Sequence, residues 1–205
     1  MANCESLIQT AMLDDCTKRN KKGVANRAWL FPWKFVNWEE CVFTHGVCTN
    51  LALYASAPEQ FMIPVEIPGT TPFTGLKKEL EVGTYSNTFK STVPMVILRH
   101  DDNVTMGFVG PLSTGTKYVL LVENNANTGS DKKSKFEFYG LQNGLVITSA
   151  EHDPYNDDTL GGWALSLEAT GETSAAIFFA PTVADASGVD VTRNYIKGKE
   201  VTTTV

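Results

Sequence analysis

From Arg27 onward the chain alternates short runs dense in aromatic and β-branched residues with clusters of Gly, Pro, Asn and Asp. Runs of the first kind pack well on a pleated surface, and clusters of the second kind turn the chain. The pattern therefore predicts a mainly β fold of about nine or ten short strands, a sandwich or barrel with at most one flanking helix and extended arms. It divides the 205 residues into an N-terminal arm or short helix over 1–25, a β-sandwich domain over 26–183 and a C-terminal arm over 184–205. Hydrophobic residues at 42% and charged residues at 20% are enough for a real core and argue against wholesale disorder.

Individual segments carry finer expectations. Cys4 to Leu13 places Leu7, Ile8, Ala11 and Met12 on one side of a short helix. Pro32 marks an edge or a bend, because proline cannot donate to a ladder. Val42-Phe43 and Val47 to Tyr54 flank a tight turn at Thr44-His45-Gly46. Prolines 64, 68 and 72 and glycines 69, 75 and 83 describe an excursion that cannot pair centrally in a sheet. LKKELEVGTYSNTFKSTVPMVIL reads as two strands, HDDN (100–103) as a turn, and VTMGFVG (104–110) as another strand. PLSTGTK is too short and too rich in Gly and Thr for a firm helix. Tyr118 to Glu123 reads as a buried strand. In KFEFYGLQNGLVITSAEHD (135–153), two strands flank Asn143-Gly144, whose positive φ suits a tight hairpin. Leu141 is an apolar residue at the tip of that turn and reads as a contact residue. WALSLEATG alternates cleanly, SAAIFFAPTV is the final apolar strand, and TRNYIKGKEVTTTV can add an edge strand to its own sheet or a neighbour's.

Chemistry is sparse. There are three histidines and no nucleophile elbow, metalloprotease, phosphate-loop or dinucleotide pattern. The acidic loop HDPYNDD (152–158) lacks the spacing of a helix–loop–helix calcium site and reads as a solvated turn. Neither catalytic nor metal-binding residues are assigned, no cofactor is expected, and the chain is read as a non-enzyme. The basic patch around Lys18, Arg19, Lys21 and Lys22 reads as a solvated face. The four cysteines, Cys4, Cys16, Cys41 and Cys48, match no common zinc spacing and read as free thiols; a Cys41–Cys48 disulfide is the alternative beside a zinc site. Trp29, Trp33 and Trp38 lie within ten positions and read as core or subunit interface, with a carbohydrate platform as the sharper alternative. The net charge of −6 disfavours coating nucleic acid by surface attraction but not passage of DNA through an acidic channel. The N-terminus reads without a secretory leader, and no run of ~18 apolar residues occurs, so no membrane span is expected.

The order TFKSTVPMVIL, KYVLLVENN, KFEFYGLQNGLVITSAEHD, GGWALSLEATGETSAAIFF resembles tail tube (major tail) proteins of long-tailed bacteriophages, of the type infecting Bacteroidetes hosts. ANRAWLFPWKFVNW with GVCTNLAL looks like the opening of the same family, so the resemblance runs from about residue 26. It implies a β-sandwich with a flanking helix, assembled in the virion tail after synthesis in the host cytoplasm. Subunits of that family form hexameric rings that stack into a tube, and their inner strands line a channel through which double-stranded DNA passes at genome ejection. Implied partners are further copies of the chain and other tail proteins such as sheath or terminator. Trp29, Trp33, Trp38, Leu141, Asn143 and Gly144 are the assembly-interface candidates. A capsid decoration protein or a head–tail connector ring is the alternative, with a carbohydrate-binding module behind it.

Overall fold

The computed structural model describes residues 22–67, 69–73, 75–125, 135–183 and 187–201. The expected helix at 4–13, the basic patch up to Lys21, and Cys4 and Cys16 lie outside these residues.

The chain is mainly β. Among the described residues eleven strands form two sheets: β1 (Val24–Pro32), β2 (Val42–Thr44), β3 (Val47–Asn50), β4 (Ile63–Glu66), β5 (Lys77–Glu81), β6 (Thr88–Ile97), β7 (Tyr118–Asn124), β8 (Phe136–Tyr139), β9 (Val146–His152), β10 (Trp163–Glu172) and β11 (Ile177–Phe179). The larger sheet has the order β2-β3-β11-β8-β7-β1-β4, and the smaller the order β5-β6-β10-β9. Every pairing is antiparallel except that of β11 with β3.

The larger sheet is covered on both faces, which explains its central strands. In β7, Leu120 and Val122 point into the core between the sheets, while Val119 and Leu121 point to the opposite face. All four are fully buried, so the strand reads as a continuous apolar run rather than an alternation. Between the sheets, Ala28 and Leu30 of β1 meet Val93 and Met95 of β6 and Leu165 and Leu167 of β10. On the far face, Trp29, Phe31, Phe136, Phe138 and Phe179 form a second core. Phe31 and Phe61 meet edge to face at 5.3 Å. Each fully buried aromatic contributes roughly 1.5–3 kcal/mol by removal from water.

Prolines sit where backbone donors are not needed. Pro32 ends β1, and the chain turns into a 3-10 segment at Trp33–Phe35. Pro64 lies in β4, at an edge of the larger sheet. Pro94 lies in β6 beyond the last residue paired with β5. The turn at His45-Gly46 is present, with positive φ at both residues, but β3 ends at Asn50 rather than Tyr54.

Three expectations are overturned. First, VTMGFVG is helical, not a strand: α1 (Asp102–Val104), a π-helical turn (Thr105–Val109) and α2 (Gly110–Ser113) run without a break. The Asp101 carboxylate caps its start by accepting the Val104 N–H at 2.9 Å. Val104, Phe108 and Leu112 recur at a helical spacing and pack on the inter-sheet core. Second, 189–199 is a helix, α3 (Val189–Lys199), and not an extended arm. Its buried Thr192 and Ile196 anchor it, Ile196 in the second core. Asp190 lies in its first turn and Lys197 and Lys199 in its last, each favourable to the helix dipole. Among the described residues of this segment, 199–201 acts as an edge beside the chain's own sheet: Met62 N–H donates to Lys199 O at 3.0 Å and Val201 N–H to Met62 O at 2.9 Å. Third, 135–153 is not a hairpin. β8 pairs with β7 and β11 in the larger sheet, while β9 pairs with β10 in the smaller. The segment between them carries the chain from one sheet to the other.

Candidate assembly interface

That crossing gathers three of the six interface candidates, but inside the subunit. Gly140 and Gly144 both take positive φ, and Gly144 N–H donates to Gly140 O at 2.9 Å; Asn143 does not share that conformation. Leu141 is only 1% exposed and packs in the second core. The Trp33 indole N–H donates to Leu141 O at 3.0 Å. A Cβ on Gly144 would stand 3.1 Å from Trp33 Cγ and 2.7 Å from Lys117 Cβ. The crossing is also tied to the end of β10: Asn143 Nδ2 donates to Thr170 O at 2.8 Å, and Gln142 Oε1 accepts the Thr173 N–H at 2.8 Å.

The tryptophans share no exposed platform. Trp29 is buried against Phe136, with its indole N–H on Glu200 Oε1 at 2.6 Å. Trp33 lies half-buried with the Lys117 ammonium 5.3 Å from its ring. Trp38 lies against Phe43 at 4.8 Å between ring centroids. This removes the geometric basis for a sugar-stacking surface. Trp29, Leu141 and Gly144 are structural members of the subunit, and of the six only Trp33, Trp38 and Asn143 retain partly exposed surface.

The smaller sheet carries exposed edges and an exposed outer face, and the terminal strands β2 and β4 of the larger sheet are likewise paired on one side only among the described residues. β5 pairs only with β6 and β9 only with β10 among the described residues, so each strand has one laterally unpaired side. β9 is exposed along Thr148, Ser149, Ala150 and Glu151. The sheet's outer face follows from the register. Lys77, Glu79 and Glu81 of β5 stand level with Thr92, Lys90 and Thr88 of β6, and Glu168 and Glu151 extend the row across β10 and β9. Two lysines face four glutamates there, giving a formal charge of −2. Lys77 pairs with Glu79 at 3.0 Å and Lys90 with Glu168 at 2.8 Å. Leu80 near the end of β5, and Val82 and Tyr85 beyond it, are 53%, 79% and 100% exposed, three apolar residues toward the tip of the β5–β6 hairpin. Sequence reading passed over them, although Val82 and Tyr85 flank a glycine in a polar turn.

The smaller sheet is fastened to the larger by Lys78, whose ammonium bonds Glu137 Oε1 at 2.8 Å and Phe138 O at 2.9 Å. The same ammonium lies 4.5 Å from the centroid of the Tyr139 ring. Burial, followed by the Glu137 charge, raises the Tyr139 phenol well above its ordinary pKa.

Other polar clusters serve turns. In the 152–158 loop, Asp153 Oδ1 accepts the Tyr155 N–H and Asn156 Oδ1 the Asp158 N–H. His100 and His152 stack at 3.8 Å beside Trp163. Among the described residues no group of three or more His, Cys, Asp or Glu is placed to hold a metal ion. No described helix is long and apolar enough to cross a membrane. Cys41 and Cys48 are free thiols. A hydrogen bond from Cys48 lowers the Cys41 thiol to about 7 against the opposing effect of burial. Holding that proton, together with burial, raises Cys48 far above the ordinary thiol range. No protein-family model, curated protein or solved structure matches the chain.

Proposed function

We propose that the protein is a self-assembling structural subunit of a phage tail tube, in which β9 of one copy pairs laterally with β5 of the next. One observation carries this reading: among the described residues, the smaller sheet has four strands, all antiparallel, with a strand unpaired on one side at each end. An even number of alternating strands leaves β5 and β9 running in opposite directions. A copy rotated about an axis along the strands therefore presents β5 to β9 in the antiparallel sense, and the ladder continues from subunit to subunit. Such a contact is head to tail, and it closes into a ring when the rotation divides the circle. Hexameric closure comes from the family resemblance. Curvature toward the smaller sheet would place its acidic outer face inside the ring, where carboxylates give a passing DNA duplex no phosphate partners.

Negative-stain microscopy of the purified full-length protein tests this. Hollow rods of stacked rings are the expected result. Single rings that do not stack would favour a head–tail connector, and binding to preformed capsids without rods would favour a decoration protein. A monomer at every concentration would overturn lateral pairing altogether.

A further inference from the structure

The β2–β3 hairpin holds two thiols on one face. Val42 stands opposite Asn50 and Phe43 opposite Cys48, so Thr49 is the extra residue of a bulge. Cys41 lies two residues before Phe43 and thus points to the same side as Phe43 and Cys48. Both sulfurs belong to the second core, Cys48 fully buried and Cys41 half-buried at its rim. Their weak contacts converge on one stretch of backbone: Cys41 Sγ lies 3.9 Å from Ala52 O, and Cys48 Sγ lies 3.5 Å from Asn50 O.

We propose that Cys41 and Cys48 form a peroxide-responsive pair that closes a disulfide across the β2–β3 hairpin. The geometry divides the labour. Cys41 is the reachable sulfur and ionises first, because its Cys48 neighbour holds its thiol below the ordinary range. Cys41 thiolate attacks one oxygen of hydrogen peroxide and breaks the O–O bond. It leaves as a sulfenic acid while hydroxide departs. The Cys48 sulfur then attacks the Cys41 sulfur, the S–O bond breaks, and the Cys48 proton leaves with the hydroxyl as water. Two electrons pass from the two thiols to one peroxide. The bond ties the residue preceding β2, a terminal strand of the larger sheet, to β3.

The sequence makes the product easy to map, since no Lys or Arg lies between Lys34 and Lys77 and both cysteines fall in tryptic peptide 35–77. Full-length protein is treated with limiting hydrogen peroxide, alkylated and digested. Peptide 35–77 is expected to lose the mass of two hydrogens and to resist alkylation until reduced. The rate should rise with pH and reach half its maximum near pH 7. In Cys48→Ala, Cys41 should stop at a sulfenic acid that dimedone traps. A peptide that gains oxygen while Cys48 remains alkylatable would overturn the pair. So would linkage of Cys41 or Cys48 to Cys4 or Cys16, or a Cys41 rate no higher above pH 7 than below it.

Discussion

The indole N–H of Trp33 donates to the carbonyl of Leu141 at 3.0 Å, linking the turn after β1 to the crossing between the two sheets. The bond makes Trp33 a clamp on the segment that carries the chain from β8 to β9. Gly144 lies directly under the same ring.

Substituting Gly144 therefore acts on the subunit itself. Gly144→Val forces a β-branched residue into positive φ and drives its Cβ toward Lys117 Cβ and Trp33 Cγ. Urea unfolding of Gly144→Ala should show a loss of about 1–3 kcal/mol, with Gly144→Val worse. Trp33→Phe, which removes only the donor, should cost about 1 kcal/mol. An unchanged midpoint for Gly144→Val would refute the packing at this position.

Lys78 and Glu137 are nearly buried, at 12% and 13% side-chain exposure, and join β5 to the larger sheet. Lys78→Met leaves the Glu137 carboxylate without its cation and should destabilise by about 3 kcal/mol. The double variant Lys78→Met/Glu137→Gln should recover much of that loss, because no lone charge remains buried. Thermal unfolding of the two variants side by side checks the coupling.

The C-terminal helix belongs to the fold. Ile196→Ala should cost about 2–5 kcal/mol through the cavity it leaves in the second core. Glu200→Gln weakens the contacts to Arg27 at 2.8 Å and Trp29 at 2.6 Å, and should speed hydrogen exchange at Met62 and Val201. Deleting 184–205 should lower stability before any effect on assembly is seen; a truncated chain of unchanged melting temperature would contradict the docking of α3.

The apolar tip of the β5–β6 hairpin makes no demand on the isolated subunit. Val82→Asp/Tyr85→Asp should leave the unfolding free energy within about 0.5 kcal/mol of the parent. If copies join at the smaller sheet, the same variant should form fewer or shorter rods by microscopy. Loss of monomer stability with normal assembly would reverse the assignment.

Much of the local structure was legible in the residues. The alternation of Trp163, Leu165 and Leu167 against Ala164, Ser166 and Glu168 marked β10, and Leu165 and Leu167 are its buried side. The His45-Gly46 turn and the continuous run of β7 were equally plain. The helical segment 102–113 carried a readable signal, an Asp cap followed by Val104, Phe108 and Leu112. Its β-branched residues and glycines masked that signal, and tertiary burial of the apolar stripe outweighed weak propensity. In α3 the charges at the two ends were the clue passed over.

The sequence by itself determined the strands β5 to β7 and β10, the turn at His45-Gly46 and the positive φ of Gly144, because these depend on a residue and its immediate neighbours. Only the tertiary structure decided that β8 and β9 belong to different sheets. Asn-Gly can close a hairpin or turn a crossing equally well. The choice lies in which core receives each face: Phe136 and Phe138 fill the far core, while Leu145 and Ile147 pack between the sheets. That contest is settled by partners distant in the chain, and for the same reason Leu141 sits inside the subunit rather than at its surface.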